Sequence, residues 1–233
     1  MKTTKVYDIP TRLFHWLFAG LFIGATLITK TIDEESPLYA YHMLIGMTML
    51  LIVILRVLWG IMGSRWARFS SFRLKPVELL QYVKDLLFSK TKRYVGHNPA
   101  SSWATVVMFG LTVGLSATGY MMTQEVNRDF FKEIHEFCAN AFIVVVIAHI
   151  LGIFFHTFRH REAIGMSMIH GKKEVPTEAK SIQNTHFFAG VVFLCLVAAF
   201  VFYLYKNYDS QTQQLNLFNR TLQLGETEHT DHE

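Results

Sequence analysis

Three observations predict an all-α, polytopic membrane protein. Hydrophobic residues make up 51% of the 233 and charged residues only 17%, a balance too apolar for an ordinary soluble domain of this length. The apolar residues gather into five blocks of about twenty, each enough to cross a hydrocarbon core of about 30 Å as a helix. No block alternates as a transmembrane strand does, and a spanning backbone must satisfy its own hydrogen bonds, which leaves the helix.

Residues 1–12 carry Lys2, Lys5 and Arg12 and have no transmembrane character. The first block, Leu13 to Thr29, stands where a signal peptide would, but it contains His15 and Trp16 and lacks a small-residue cleavage pattern, so it reads as a retained span. The sequence KTIDEESP leads to the second block, Met43 to Met62. A 39-residue segment from Ser64 to Ser102 follows, with eight Lys or Arg against Glu78 and Asp85. Inside it, residues 72–90 (FRLKPVELLQYVKDLLFSK) set Val77, Leu79, Leu80, Val83, Leu86 and Leu87 at helical spacing with lysines between. That pattern predicts an amphipathic helix, lying on the membrane face or docked against a partner subunit. RYVGHNPAS reads as a turn before the third block, Trp103 to Met122. QEVNRDFFKE connects to the fourth, Ala139 to Phe158. The fifth, Phe187 to Tyr205, has no interior charge or histidine, and residues 174–206 form a linker plus this additional span. Residues 207–233 are polar and acidic, ending GETEHTDHE, and predict disorder.

Charge sets the expected topology. The basic amino terminus, the 64–102 segment and the stretch with Arg159, Arg161, Lys172, Lys173 and Lys180 alternate with acidic connections. Basic segments stay inside, which predicts a cytoplasmic amino terminus and, after five spans, a carboxyl terminus on the outer, periplasmic side. The net charge of +4 follows from these inner segments and anionic lipid, not from nucleic-acid binding. Cys138 and Cys195 fall in or beside spans and no C-x-x-C-H occurs, so neither a disulfide framework nor covalent haem attachment is indicated.

The chemistry concentrates in histidines. The stretch IHEFCANAFIVVVIAHILGIFFH carries His135, His149 and His156 on one apolar helix. His135 and His149 lie within about 40° of one face and about 21 Å apart along the axis. Ionisable side chains inside lipid are costly and usually functional. His42, at the outer end of the second span, shares the depth of His135, and His15, near the inner end of the first, lies in the inner half with His149. Two imidazole pairs at two depths suit axial ligation of two b-type haems; proton relay and metal transport are the other uses. Depth alone slightly favours His156 over His149 as the partner of His15, and helix tilt can reverse that.

Arg56 lies about 21 Å inward of His42 on nearly the same face. No Asp or Glu lies inside a span to balance it. It either binds a haem propionate or snorkels to inner headgroups. Gly20, Gly24 and Gly46 either admit a flat macrocycle or serve helix packing. His97 reads either as a neighbour of a quinone site or as a solvated loop residue; His160, His170, His186, His229 and His232 read as non-functional.

YDIPTRLFHW, YHMLIG, RVLWGIMG, RYVGHNP and IHEFCANAFIVVVIAHILGIFFHTFRHRE together resemble the prokaryotic di-haem cytochrome b561 family, which includes the b-type membrane subunits of nickel-iron hydrogenases. The resemblance covers residues 5–173, so that 1–173 is the expected haem-binding domain. It implies a four-helix bundle, here with an added fifth helix, holding two non-covalent haem b groups. His42 and His135 would ligate the outer haem and His15 and His149 the inner one, with His156 as a neighbour of a propionate or of the inner surface. It further implies electron transfer across a bacterial cytoplasmic membrane, between a quinone or quinol pool and a hydrogenase subunit or a periplasmic c-type cytochrome. Some members are proposed to oxidise superoxide. The competing class from the residues alone is a histidine-based metal-ion or proton transporter.

Overall fold

The computed structural model describes residues 2–88, 94–124, 127–161, 164–175 and 181–225. Its helices are α1 (Ile9–Thr31), α2 (Ala40–Met62), α3 (Pro76–Phe88), α4 (Pro99–Met122), α5 (Arg128–His160), the single turn α6 (Ser167–His170) and α7 (Phe187–Asn207). Of these, α1, α2, α4, α5 and α7 are long and apolar enough to cross a membrane. The side of the bundle that carries the amino terminus is the near side, and the opposite side is the far side.

Local chemistry sets the helix starts. Asp8 caps α1 by accepting from Thr11 N at 2.9 Å, with Pro10 in the first turn, and Asn98 caps α4 by accepting from Ser101 N at 2.7 Å, with Pro99 following. Both motifs join an N-cap acceptor to a proline whose missing N–H is no loss there. Helix α5 begins well before its apolar block, since the polar run from Arg128 is itself helical. His135 therefore stands two turns inside α5.

Helices α1 and α2 pack as one antiparallel pair and α4 and α5 as another; α2 joins the pairs through α4, and α7 lies against α1 and α2. Over most of its length α5 stands off from α1 and α2. Between them, at mid-depth, lies an apolar layer of Phe14, Phe18, Met49, Ile52, Val53 and Phe142, to which α7 adds Phe193 and Val197. Phe142 is 1% exposed and touches Phe18 and Phe22, with ring centroids at 5.9 and 4.7 Å. It falls midway between His135 and His149. The outward faces carry large exposed apolar side chains such as Val144, Leu151, Phe154 and Phe188, as lipid-facing surfaces do.

On the near side the non-helical segments are knitted together. Strand β1 (Lys2–Lys5) pairs antiparallel with β2 (Lys172–Val175). The Lys173 ammonium donates to the carbonyls of Tyr94 (2.7 Å) and Gly96 (3.2 Å). Gly96 admits no side chain, since a Cβ there would sit 2.8 Å from the Trp66 ring. Helix α3 packs on α4 and buries Tyr82, while Val77, Leu80, Leu87 and Phe88 are exposed.

The far side corrects the expectation of disorder after Asn207. Residues 208–223 form a three-stranded antiparallel meander, β3 (Tyr208–Asp209), β4 (Gln214–Leu217) and β5 (Arg220–Gln223). The two-residue turn Phe218–Asn219 has positive φ at both positions (45° and 65°), the primed-turn geometry that matches strand twist. Leu215, Leu222 and Leu224 bury against Ala40 of α2 and Leu204 of α7, and Arg220 donates to the Tyr120 hydroxyl at 3.1 Å. Burial of these leucines outweighs the polar composition. Residues 226–233, most of the acidic ending, lie outside the described residues. Leu215→Ala is expected to cost about 2–3 kcal/mol, read as a lower unfolding midpoint in detergent.

Candidate functional site

The far-side pair is the better defined. His42 on α2 and His135 on α5 face each other with ring centroids 6.2 Å apart and planes at 70°. Metal–imidazole bonds are about 2 Å long, so two imidazoles on opposite sides of one metal have centroids about 6 Å apart. Each ring is also anchored through its other nitrogen. His42 Nδ1 lies 3.2 Å from the Ala25 carbonyl, and His135 Nδ1 lies 2.9 Å from Thr118 Oγ1. Such bonds fix the ring and leave Nε2 to bind a metal. The Thr118 hydroxyl also lies 2.8 Å from the Gly114 carbonyl, so it is itself held in place.

Open space adjoins His42 at Gly46. A Cβ built at Gly46, one turn from His42 on the same face, would meet nothing within 4 Å, and neither would one at Gly20. Close helix packing is therefore not what these two glycines serve. Gly24 differs, since its Cβ would touch Ile45 at 3.6 Å. The residues thus fit a macrocycle held between His42 and His135.

On the near side, His15 of α1 and His149 of α5 are close enough to interact electrostatically. His15 stacks edge-on against Trp16 at 5.1 Å, and its Nδ1 is buried without a hydrogen-bond partner. His156 is buried one turn pair further along α5 (4% exposed).

Arg56 does not snorkel. It is 3% exposed, donates from Nη2 to the Ala67 carbonyl at 3.0 Å, and has the Phe14 and Phe69 rings 5.9 and 5.8 Å from its guanidinium carbon. Its Nη1 is buried and unpartnered. The sequence offered no acidic residue within a span, yet Asp8, just outside α1, is fully buried and acts on Arg56 electrostatically. Asp8 also accepts from Trp59 Nε1 at 3.0 Å. The capping signal in YDIPTR was visible in the sequence, but its proximity to Arg56 needed the fold.

His97 is not a solvated loop residue. It is buried between Phe72 (4.6 Å) and Tyr7 (5.8 Å). Desolvation first, then the charges of Arg56, Lys173 and His149, push its imidazole down to about 3, so it is neutral at physiological pH. Among the described residues, no three His, Cys, Asp or Glu side chains converge to hold a metal ion.

Residues 6–171 match the family described as prokaryotic cytochrome b561. The chain belongs to the prokaryotic cytochrome b561 family. It is similar to a probable Ni/Fe-hydrogenase B-type cytochrome subunit of Bradyrhizobium diazoefficiens, 25% identical over 215 residues that cover 74% of this chain and 86% of the relative. A protein of the same description from Rhizobium leguminosarum is 28% identical over 214 residues, covering 74% and 89%. Another, from Azotobacter vinelandii, is 33% identical over 153 residues, covering 55% and 63%. No solved structure matches the chain. Membership in the cytochrome b561 family makes b-type haem the cofactor class and electron transport in a membrane the activity class. Helix α7 and the far-side sheet of this cytochrome lie beyond the matched residues.

Proposed function

We propose that this cytochrome carries electrons across a bacterial cytoplasmic membrane through two non-covalent b haems, between the quinone pool and a redox partner of the hydrogenase or c-type cytochrome class. The observation that carries the reading is the far-side pair, with imidazole centroids 6.2 Å apart and both Nδ1 atoms engaged. His42 and His135 hold one group and His15 and His149 the other, and Arg56 offers its free Nη1 to a propionate of the near-side group. Held by these four histidines, haem would supply a one-electron iron couple. Thr118 and the Ala25 carbonyl keep the far-side rings oriented, and the layer around Phe142 keeps water from the space between the two levels. The relatives' names favour a hydrogenase as partner.

The positive residues of the near side support its placement in the cytoplasm. There, Arg12, Arg65, Arg68, Arg73 and Lys75 contrast with Asp33, Glu34, Glu35 and Asp129 on the far side. Glu34 pairs with Lys132 at 3.0 Å, tying the α1–α2 connection to α5. A pyridine haemochrome assay on purified protein is expected to return close to two b haems per chain, with a dithionite-reduced b-type spectrum. A folded, colourless protein would refute the reading.

A further inference from the structure

Arg56 Nη1, His97 Nδ1 and Ser64 Oγ are all buried on the near side without a hydrogen-bond partner. Orphaned buried polar atoms are rare, because each has given up water for nothing. Two observations relate them. Arg56 Nη2 holds the Ala67 carbonyl at 3.0 Å, and Ala67 N donates to the Ser64 carbonyl at 2.9 Å, so the turn bearing Ser64 is fastened to the guanidinium. His97 lies within electrostatic reach of the same guanidinium and of His149. Its position is imposed from outside the bundle, by Phe72 and Tyr7 against its ring and by the Lys173 clamp on the carbonyls of Tyr94 and Gly96.

The donor set specifies the ligand. A guanidinium has a fixed fork suited to a carboxylate, a neutral imidazole can donate from Nδ1, and a hydroxyl rotates to donate. Asp8 already engages Thr11 N and Trp59 Nε1 and so does not reach these three atoms as a hydrogen-bond partner. We propose that His97 and Ser64 complete, with Arg56, a carboxylate site on the near side that binds the propionates of the haem held by His15 and His149. The proposal rests on the two-haem reading. It makes the 64–72 and 94–98 segments part of the cofactor pocket, with Lys173 as the residue that positions His97.

The test uses the purified holoprotein and two readouts, a spectroelectrochemical redox titration and the propionate-bending bands in resonance Raman. His97→Ala is expected to lower the near-side haem's midpoint potential and shift its propionate band, because a propionate without its donor favours ferric iron. The far-side haem is expected to be unchanged, and His97→Asn, which keeps an N–H donor, to restore both signals. Ser64→Ala is expected to shift the same band in the same direction, and it decides the matter if His97→Ala loses the near-side haem. Variants that retain two haems with unaltered potentials and propionate bands would overturn the carboxylate site. Failure of the two-haem reading would show separately, as a wild-type titration without two b-type components. If the band moves only when a small free carboxylate such as acetate is added, the ligand is that anion and not a propionate, and the proposal is overturned.

Discussion

His135→Ala is expected to abolish the far-side haem and halve the b-type absorption, leaving the near-side component intact. The reason is geometric. His135 and His42 face each other at 6.2 Å, and the substitution removes one of the two imidazoles. The Phe142 layer lies between this pair and the proposed near-side ligands His15 and His149, which the substitution leaves in place. Haem quantitation and a redox titration of the variant check this; retention of two haems would remove His135 from the ligand set. Thr118→Val provides the graded companion. It keeps the imidazole but deletes its 2.9 Å partner, and the expected result is a far-side haem that binds about 10–100-fold more weakly.

Asp8→Ala is expected to destabilise the protein by about 1–3 kcal/mol, the cost of losing a helix cap and leaving a donor without its acceptor. Asp8 is 0% exposed and serves three groups at once: the α1 N-terminus through Thr11 N, the indole of Trp59, and the charge of Arg56. Its loss leaves the Trp59 indole N–H without its acceptor and removes a negative charge that acts on the buried Arg56. Thermal unfolding in detergent measures the change. Asp8→Asn keeps the cap and the acceptor but not the charge, and is expected to recover part of the loss; full stability of Asp8→Ala would show that Arg56 does not depend on it.

The five spans were legible because lipid demands long uninterrupted apolar helices, and nothing else in the chain imitates that signal. The histidine stripe of α5 was legible for a related reason, since helical periodicity places His135, Phe142 and His149 on one face whatever surrounds them. The β meander at the carboxyl end left a signal too. In LNLFNRTLQL the leucines recur at a two-residue period around a turn, yet the neighbouring acidic run and the absence of glycine in that turn masked it. His97 could not have been read from the chain, because its burial depends on Tyr7, Phe72 and Lys173, which come from three distant segments.

The sequence by itself therefore determined that this is a helical membrane protein of the cytochrome b561 family and which helices carry histidines. Lipid solvation and the helical repeat act along a single chain, and so they are written in it. Only the tertiary structure decided that His42 and His135 meet with their second nitrogens engaged, that Asp8 lies beside Arg56, and that the last strands cover the far side. Those outcomes depend on side chains from remote segments arriving within hydrogen-bonding distance, which packing fixes and local pattern does not.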